Sequence, residues 1–335
     1  MKHVVEIRVT ISPTPRFFRA IHYMAASLRA IGGLLTDHEI VVSVGGNSRR
    51  ENLYRSQAWS NRYPILWRWV DPVAYAAKGY RATNHDRAWH MSRSRFVMVA
   101  DADVIFLRDF SELLSSIETS PAICGVMAHV SPFLQTPALV DPSAAAADSP
   151  ASVYWRLLAD RFGVTALPLE YQYTGWKVMF EREGHQFGPA YFNGGMVLGP
   201  TDLMEEMLAS YPAAEAAVDS VMDSYFRPQL ARTLAIYRAH LPHKVLPLRY
   251  NFPNDPRFDD AYRDELPKIS VLHYLRNEIV DRDKDFRDAK RSARLIARTD
   301  LRGTNELLRR RVAELHDTVV AEEGASRSRW FANLF

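Results

Sequence analysis

The sequence has a single cysteine among its 335 residues, Cys124 in the apolar stretch AICGVM. A lone thiol forms no internal disulfide and excludes a zinc-thiolate cluster, and its apolar setting marks it as a buried, inert side chain. Long hydrophobic runs are also missing. None reaches the roughly 18 uninterrupted apolar residues of a transmembrane helix. The opening MKHVVEIRVTIS alternates like a strand and lacks the apolar centre of a secretory leader, so the expected compartment is the cytoplasm. Neither sign of charge dominates. The net charge is +3, so no whole-chain field draws in nucleic acid, and none is expected as a partner. What remains is an ordinary globular composition, 47% hydrophobic and 24% charged. The length suits one large domain with additions, or two.

Over the first 130 residues strand and helix signals alternate. Val4 to Ile11 reads as a strand broken by Pro13 and Pro15, and Phe17 to Ile31 as an amphipathic helix ended by Gly32-Gly33. Glu39 to Val44 and Ile65 to Val70 read as strands. Asn84 to Ser92 reads as a helix leading into the strand Phe96 to Ala100, and Ala122 to Val130 as a further strand. This rhythm implies an α/β fold, a Rossmann-type mixed and mostly parallel sheet flanked by helices. Further on, the Ala/Pro/Ser-rich stretch Pro137 to Pro150 reads as a loop or lid, and Ser152 to Phe162 as a helix. Met196 to Leu198 is a short strand behind Asn193-Gly194-Gly195. Thr201 is expected to cap a helix. Val218 to His240 is expected to be helical, with Pro228 as a break or restart, and Val245 to Tyr250 and Ile269 to Tyr274 to be short strands.

The strand Phe96 to Ala100 ends in Asp101-Ala102-Asp103, at the carboxyl end where ligands sit in such sheets. With one residue between them, the two carboxylates can leave the strand on the same side. Two like charges beside an apolar strand are costly unless something neutralises them. A hard divalent cation with oxygen ligands, Mn²⁺ or Mg²⁺, would do so; a pair of loop-capping aspartates is the plainer alternative. Asp281-Arg282-Asp283 repeats the spacing and reads as a charged helix face. Asn193, Gly194 and Gly195 suit close approach to a sugar, since glycine admits a ligand to the backbone and asparagine offers a donor and an acceptor. An ordinary Asn-Gly turn is the alternative.

Three stretches in this order resemble the metal-dependent nucleotide-sugar glycosyltransferases of the GT-A fold. The likeness is to the retaining family 8, which includes glycogenin and the lipopolysaccharide galactosyl- and glucosyltransferases. They are VADADVIF (Val99 to Phe106), YFNGGMVLG (Tyr191 to Gly199) and VLHYL (Val271 to Leu275), with LRYNF (Leu248 to Phe252) ahead of the last. The likeness spans Val4 to Arg276. It implies that Asp103 and His273 bind Mn²⁺ directly and that Asp101 binds the metal, the donor ribose or both. It also implies a UDP-sugar donor, with the nucleobase near Thr10 and Ser12, and Arg81 or Arg87 near the phosphates. The family's Asp-Gln near the reacting carbon is here Pro228-Gln229, so Gln229 keeps only the Gln role. The family's late Lys is absent, and Arg276 is the replacement for its charge. A catalytic base is not evident; Asp219 and Asp223 are candidates by position, and His129 is a candidate for acceptor contact.

From Lys284 to Arg311 ten Lys and Arg face four Asp and Glu, and the chain closes with Arg329-Trp330-Phe331 and Leu334-Phe335. The expected organisation is a catalytic domain over 1–280 and a basic helical extension over 281–335. That extension either packs on the domain or lies on an anionic membrane surface, where a lipid-linked or polysaccharide acceptor would be met. Two other functions compete. One is a haloacid-dehalogenase-like phosphatase, whose Asp-x-Asp normally follows the first strand. The other is a sugar-nucleotide-binding scaffold without turnover.

Overall fold

The computed structural model describes residues 3–46, 57–134, 138–140, 150–179, 182, 184–275 and 278–332, with side chains to Ala325. Strand β1 (Val5–Ile11) alternates Val and Ile with Glu6, Arg8 and Thr10, yet all seven residues are buried. That is the environment of a strand inside a parallel sheet covered on both faces. Glu6 and Arg8 are accommodated as a pair, Arg8 Nε donating to Glu6 Oε1 at 2.7 Å. Burial alone would raise the Glu6 pKa; His90 and Arg8 outweigh it and bring it down to about 2.

Helix α1 (Pro15–Ile31) begins with proline, whose missing N–H is not needed in a first turn, and ends at Gly32 with φ 77°. Strands β2 (His38–Val44) and β3 (Ile65–Trp69) add in parallel on one side of β1. Helix α2 (Tyr80–Trp89) returns the chain to β4 (Phe96–Ala100), parallel on the other side. There follow β5 (Val104–Phe106), α3 (Ser111–Thr119), β6 (Ile123–Met127) and α4 (Ala151–Phe162). Strand β7 (Phe192–Pro200) runs antiparallel between β4 and β6. Helices α5 (Thr201–Asp219) and α6 (Arg227–Arg238) lead to β8 (His243–Val245), parallel to β6. The sheet order is β8-β6-β7-β4-β1-β2-β3, mixed and mostly parallel as the alternation implied. A smaller sheet has the order β9 (Phe252–Pro253), β10 (Val271–His273), β5.

Hydrophobic layers cover both faces of the main sheet. One joins Ile7, Val9, Val42 and Met98 to α1 and to Leu308, Val312 and Val319 of the last helix, α8 (Gly303–Ala332), which follows α7 (Ala289–Ile296). The other joins Val97, Val99 and Val197 to Trp155 of α4, Met207 of α5 and Leu234 of α6. The basic C-terminal segment is therefore packed against the sheet's helical layer. Arg311 donates to the carbonyls of Ser27 and Phe106 at 2.9 and 3.0 Å, and Arg309 and Arg310 both hold Glu306. The Trp330, Phe331, Leu334 and Phe335 side chains lie outside the described ones. Among the described residues no helix is long and apolar enough to cross a membrane.

Several local expectations are corrected. The strand around Met196 is nine residues long and includes Asn193-Gly194-Gly195. Thr201 caps nothing: it is the first helical residue, and its hydroxyl donates to the Ser94 carbonyl at 2.7 Å. The helix that begins there continues through Pro212 to Asp219. The chain then breaks before α6, which carries Pro228 in its first turn. Leu248 to Tyr250 is a 3₁₀ turn, and the neighbouring strand lies earlier, over His243–Val245.

Candidate active site

Asp101 and Asp103 leave the carboxyl end of β4, in the middle of the sheet. The chain restarts at once as β5, which pairs antiparallel with β10 so that Val104 lies opposite His273. The Tyr274 amide donates to the Asp103 carbonyl at 2.9 Å. This pairing carries His273 across some 170 residues of sequence and sets it against both carboxylates. His273 Nε2 is 3.4 Å from Asp103 Oδ1 and 3.8 Å from Asp101 Oδ2. Asp103 and His273 are buried, while Asp101 opens to the crevice.

Strand β7 supplies the third side. Its register against β6 shifts between Phe192 and Val197, which bends the strand where Asn193, Gly194 and Gly195 stand. Both glycines are there for close approach. A Cβ on Gly195 would come 2.3 Å from Asn251 Oδ1 and 2.5 Å from His273 Nδ1. One on Gly194 would come 3.0 Å from Asp101 Oδ2 and 3.4 Å from Arg232 Nη2. Asn193 Oδ1 accepts from the Gly195 amide and from Asn251 Nδ2, both at 2.9 Å, so its carbonyl oxygen is committed to holding the bend.

The donor set suits a divalent cation. One ligand atom from each of Asp101, Asp103 and His273 lies within 4.8 Å of the others. Among the described residues neither ring nitrogen of His273 has a hydrogen-bond partner. Burial pushes the His273 pKa down, against the pull of Asp101, and so favours the neutral imidazole that ligates metals. A buried histidine with idle nitrogens beside two carboxylates is costly unless something occupies the space between them.

Four arginines surround the cluster. Arg282 forms an ion pair with Asp103, and Arg16 with Asp283, so Asp281-Arg282-Asp283 is more than the charged helix face the sequence suggested. Arg232 is buried, and burial together with the neighbouring Arg87 lowers its pKa to about 10. Arg87 is buried too, with Nη2 donating to Asn84 Oδ1 at 2.9 Å.

Among the other sequence candidates, some engage one another. Arg81 ion-pairs with Glu215 and Asp219, tying α2 to α5. Asp219 and Asp223 are both held by Arg227. Thr10 is the next-to-last residue of β1, with its hydroxyl 2.5 Å from that of Tyr80, and the Ser12 carbonyl accepts from the Thr14 amide. Gln229 lies in the first turn of α6 with a buried Oε1 that has no hydrogen-bond partner among the described residues. His129 bonds Thr174 through Nδ1 at 2.8 Å, and burial together with His273 lowers its pKa to about 3. Arg276 lies outside the described residues. Sequence reasoning quoted Asn251 inside a motif without giving it a role, and it missed Arg232 and Arg282. The one signal for Arg282 was the second Asp-x-Asp.

No family model and no curated protein matches the sequence. Among solved structures the chain is similar to WbbM, a bifunctional glycosyltransferase, at 15% identity and a TM-score of 0.52. The match covers 88% of this chain and 50% of that one, so the chain spans half the length of WbbM. It is also similar to the galactosyltransferase LgtC, solved with donor and acceptor sugar analogs. There the identity is 13%, the TM-score 0.52, and the match covers 93% of this chain and 95% of the other. At these identities the likeness establishes the fold: a GT-A arrangement with the mostly parallel sheet described above.

Proposed function

We propose that the chain is a divalent-cation-dependent glycosyltransferase that moves a sugar from a nucleoside diphosphate donor, UDP-linked, to a hydroxyl of a glycan or lipid-linked acceptor. The observation that carries this reading is the convergence of Asp101, Asp103 and His273 on one point at the carboxyl end of β4, against a strand thinned by two glycines. Asp101, Asp103 and His273 would hold Mn²⁺ or Mg²⁺. A cation bound there supplies Lewis-acid stabilisation of the charge on the departing diphosphate.

This chain's own residues have separate tasks. Arg282, paired with Asp103, and Arg16, which lines the same small cavity, would offer two guanidinium groups to a diphosphate at the cation, the task expected of Arg276. Gly194 and Gly195 leave room for a sugar, and Asn251 and Asn193 hold that backbone in its bend. The unpartnered Oε1 of Gln229 is an acceptor available to a donor hydroxyl. Transfer with retention fits the engagement of Asp219 and Asp223 by arginines, since neither is free to serve as the base an inverting reaction requires. The Asp-x-Asp follows the fourth strand in a GT-A sheet, which disfavours the phosphatase. A peripheral membrane role keeps support from exposed basic residues such as Lys284, Arg287, Lys290, Arg294 and Arg302.

The test is release of free UDP from UDP-sugars incubated with the protein and Mn²⁺. Release that EDTA abolishes and Mn²⁺ restores is the expected result. Binding of UDP without any release would favour the scaffold.

A further inference from the structure

The buried positive charge around the site exceeds what a diphosphate needs. Arg232 is only 5% exposed, and among the described residues it has no hydrogen-bond or ion-pair partner. Arg87, also 5% exposed, has a buried Nη1 with no partner and offers Nη2 only to a neutral amide. Two adjacent guanidinium groups withdrawn from water require an anion. Asp101 is a carboxylate whose field reaches Arg232, and Asp101 belongs to the cation cluster. Asp103 already has Arg282 as its ion-pair partner, with Arg16 lining the same small cavity. Arg232 instead stands behind Gly194, with Nη2 at 3.4 Å from where a Cβ would be and Asp101 Oδ2 at 3.0 Å from the same point. No side chain fills that position, so a sugar resting on Gly194 meets the guanidinium directly.

We propose that the transferred sugar is acidic, a hexuronic acid, and that Arg232, supported by Arg87, is the specificity-determining group that receives its carboxylate. The inference rests on the reading of Asp101, Asp103 and His273 as a sugar-nucleotide site. A carboxylate accepts two parallel hydrogen bonds from the planar guanidinium fork. The hydroxymethyl of a neutral hexose leaves the same group dehydrated and without a counter-ion. Discrimination by such a site comes from the cost of leaving its buried polar group unpaired.

The experiment is calorimetric titration of the full chain, in Mn²⁺, with UDP, UDP-glucose, UDP-galactose, UDP-glucuronate and UDP-galacturonate. A uronate should bind about 10- to 100-fold more tightly than its neutral counterpart, the range of one charge-assisted hydrogen-bond pair. Arg232→Gln should erase that advantage and leave the affinity for UDP itself unchanged, while Arg232→Lys should keep part of it. The unfolding midpoint of each variant controls for folding. Equal binding of neutral and acidic sugars would overturn the inference and leave the transferase reading standing. So would a loss of UDP affinity in Arg232→Gln equal to the loss for the uronate, because it would put Arg232 on the diphosphate. Failure of UDP to bind with Mn²⁺ would overturn both.

Discussion

Two buried clusters in this molecule are made of the same residue types. At the end of β4, His273 meets Asp101 and Asp103. Beneath α8, His22 meets Glu322. In the second cluster Glu322 is fully engaged: His22 Nε2 and Tyr63 Oη at 2.8 Å, Arg29 at 3.1 Å and Arg62 at 3.6 Å. His22 is stacked on Trp59 with ring centroids 3.8 Å apart. In the first cluster the histidine has no hydrogen bond, and two glycines keep the space beside it open. The difference separates an internal clamp from a binding site. A carboxylate and a histidine bonded directly to each other, as Glu322 and His22 are, hold the fold together, whereas a histidine without a hydrogen bond beside two carboxylates suits a ligand.

The comparison breaks most decisively at Asp103. Asp103→Asn should weaken Mn²⁺ binding by about 100-fold, at the upper end of what even indirect ligand support is worth. The unfolding temperature should change little, because relief of the crowding between two carboxylates is offset by the loss of the Arg282 ion pair. Titration of Mn²⁺ followed by electron paramagnetic resonance, beside a thermal melt, reads both. A fall of several degrees with unchanged Mn²⁺ affinity would make this cluster a clamp like the other.

The converse substitution is Glu322→Ala. It removes the acceptor for His22 and Tyr63 and should cost about 2 kcal/mol, with Arg29 and Arg62 adding little because both are half exposed. Urea unfolding should show the loss, and Mn²⁺ affinity should not change.

Gly195→Ala sharpens the contrast from the side of space. The added methyl would overlap Asn251 and His273, at an overpacking cost of about 1–3 kcal/mol, and would push His273 off the carboxylates. Reduced Mn²⁺ affinity together with reduced stability is expected. Gly324→Ala in α8, where nothing lies within 4 Å, should be neutral or mildly stabilising.

The smallest effect concerns pH. Burial would raise the Glu322 pKa, but His22, Tyr63 and Arg29 outweigh it and hold it below its ordinary 4.5. A depressed carboxylate pKa gives stability that is fully present above the unfolded value and is lost as pH falls through the folded one. The stability gap between wild type and Glu322→Gln should therefore be constant above pH 4.5 and narrow below it. Urea midpoints at several pH values test this, and a gap that widens in acid would refute it.

Much of the first half was legible because its signals are local. Alternating Val and Ile, proline at a helix start and glycine at its end placed β1, α1 and β4 within a few residues. The abrupt change from Phe96–Ala100 to Asp101 and Asp103 marked the carboxyl end of a central strand. What was illegible depends on contacts distant in sequence. Asn193-Gly194-Gly195 looks like a turn because glycine is common in turns, and only pairing with β4 and β6 makes it strand. Pro212 lies inside α5, and tertiary packing of Met207, Tyr211 and Ala214 carries the helix past it. Arg232 sits in an unremarkable helical sequence, and its burial beside Asp101 follows from how α6 packs under β7. Arg282 looked solvated because its neighbours are charged, and its pairing with Asp103 needs the chain to return across the site.

The most direct test of the central claim is thermal unfolding with UDP, with and without Mn²⁺, in wild type and Asp103→Asn. Ligand at about a hundred times its dissociation constant stabilises the folded state by roughly 2.7 kcal/mol, a shift of several degrees for a chain of this size. A shift that requires both UDP and Mn²⁺ and disappears in Asp103→Asn is the expected result. A UDP shift of equal size without Mn²⁺, or one that survives Asp103→Asn, would contradict the assignment of Asp101, Asp103 and His273 as the cation site.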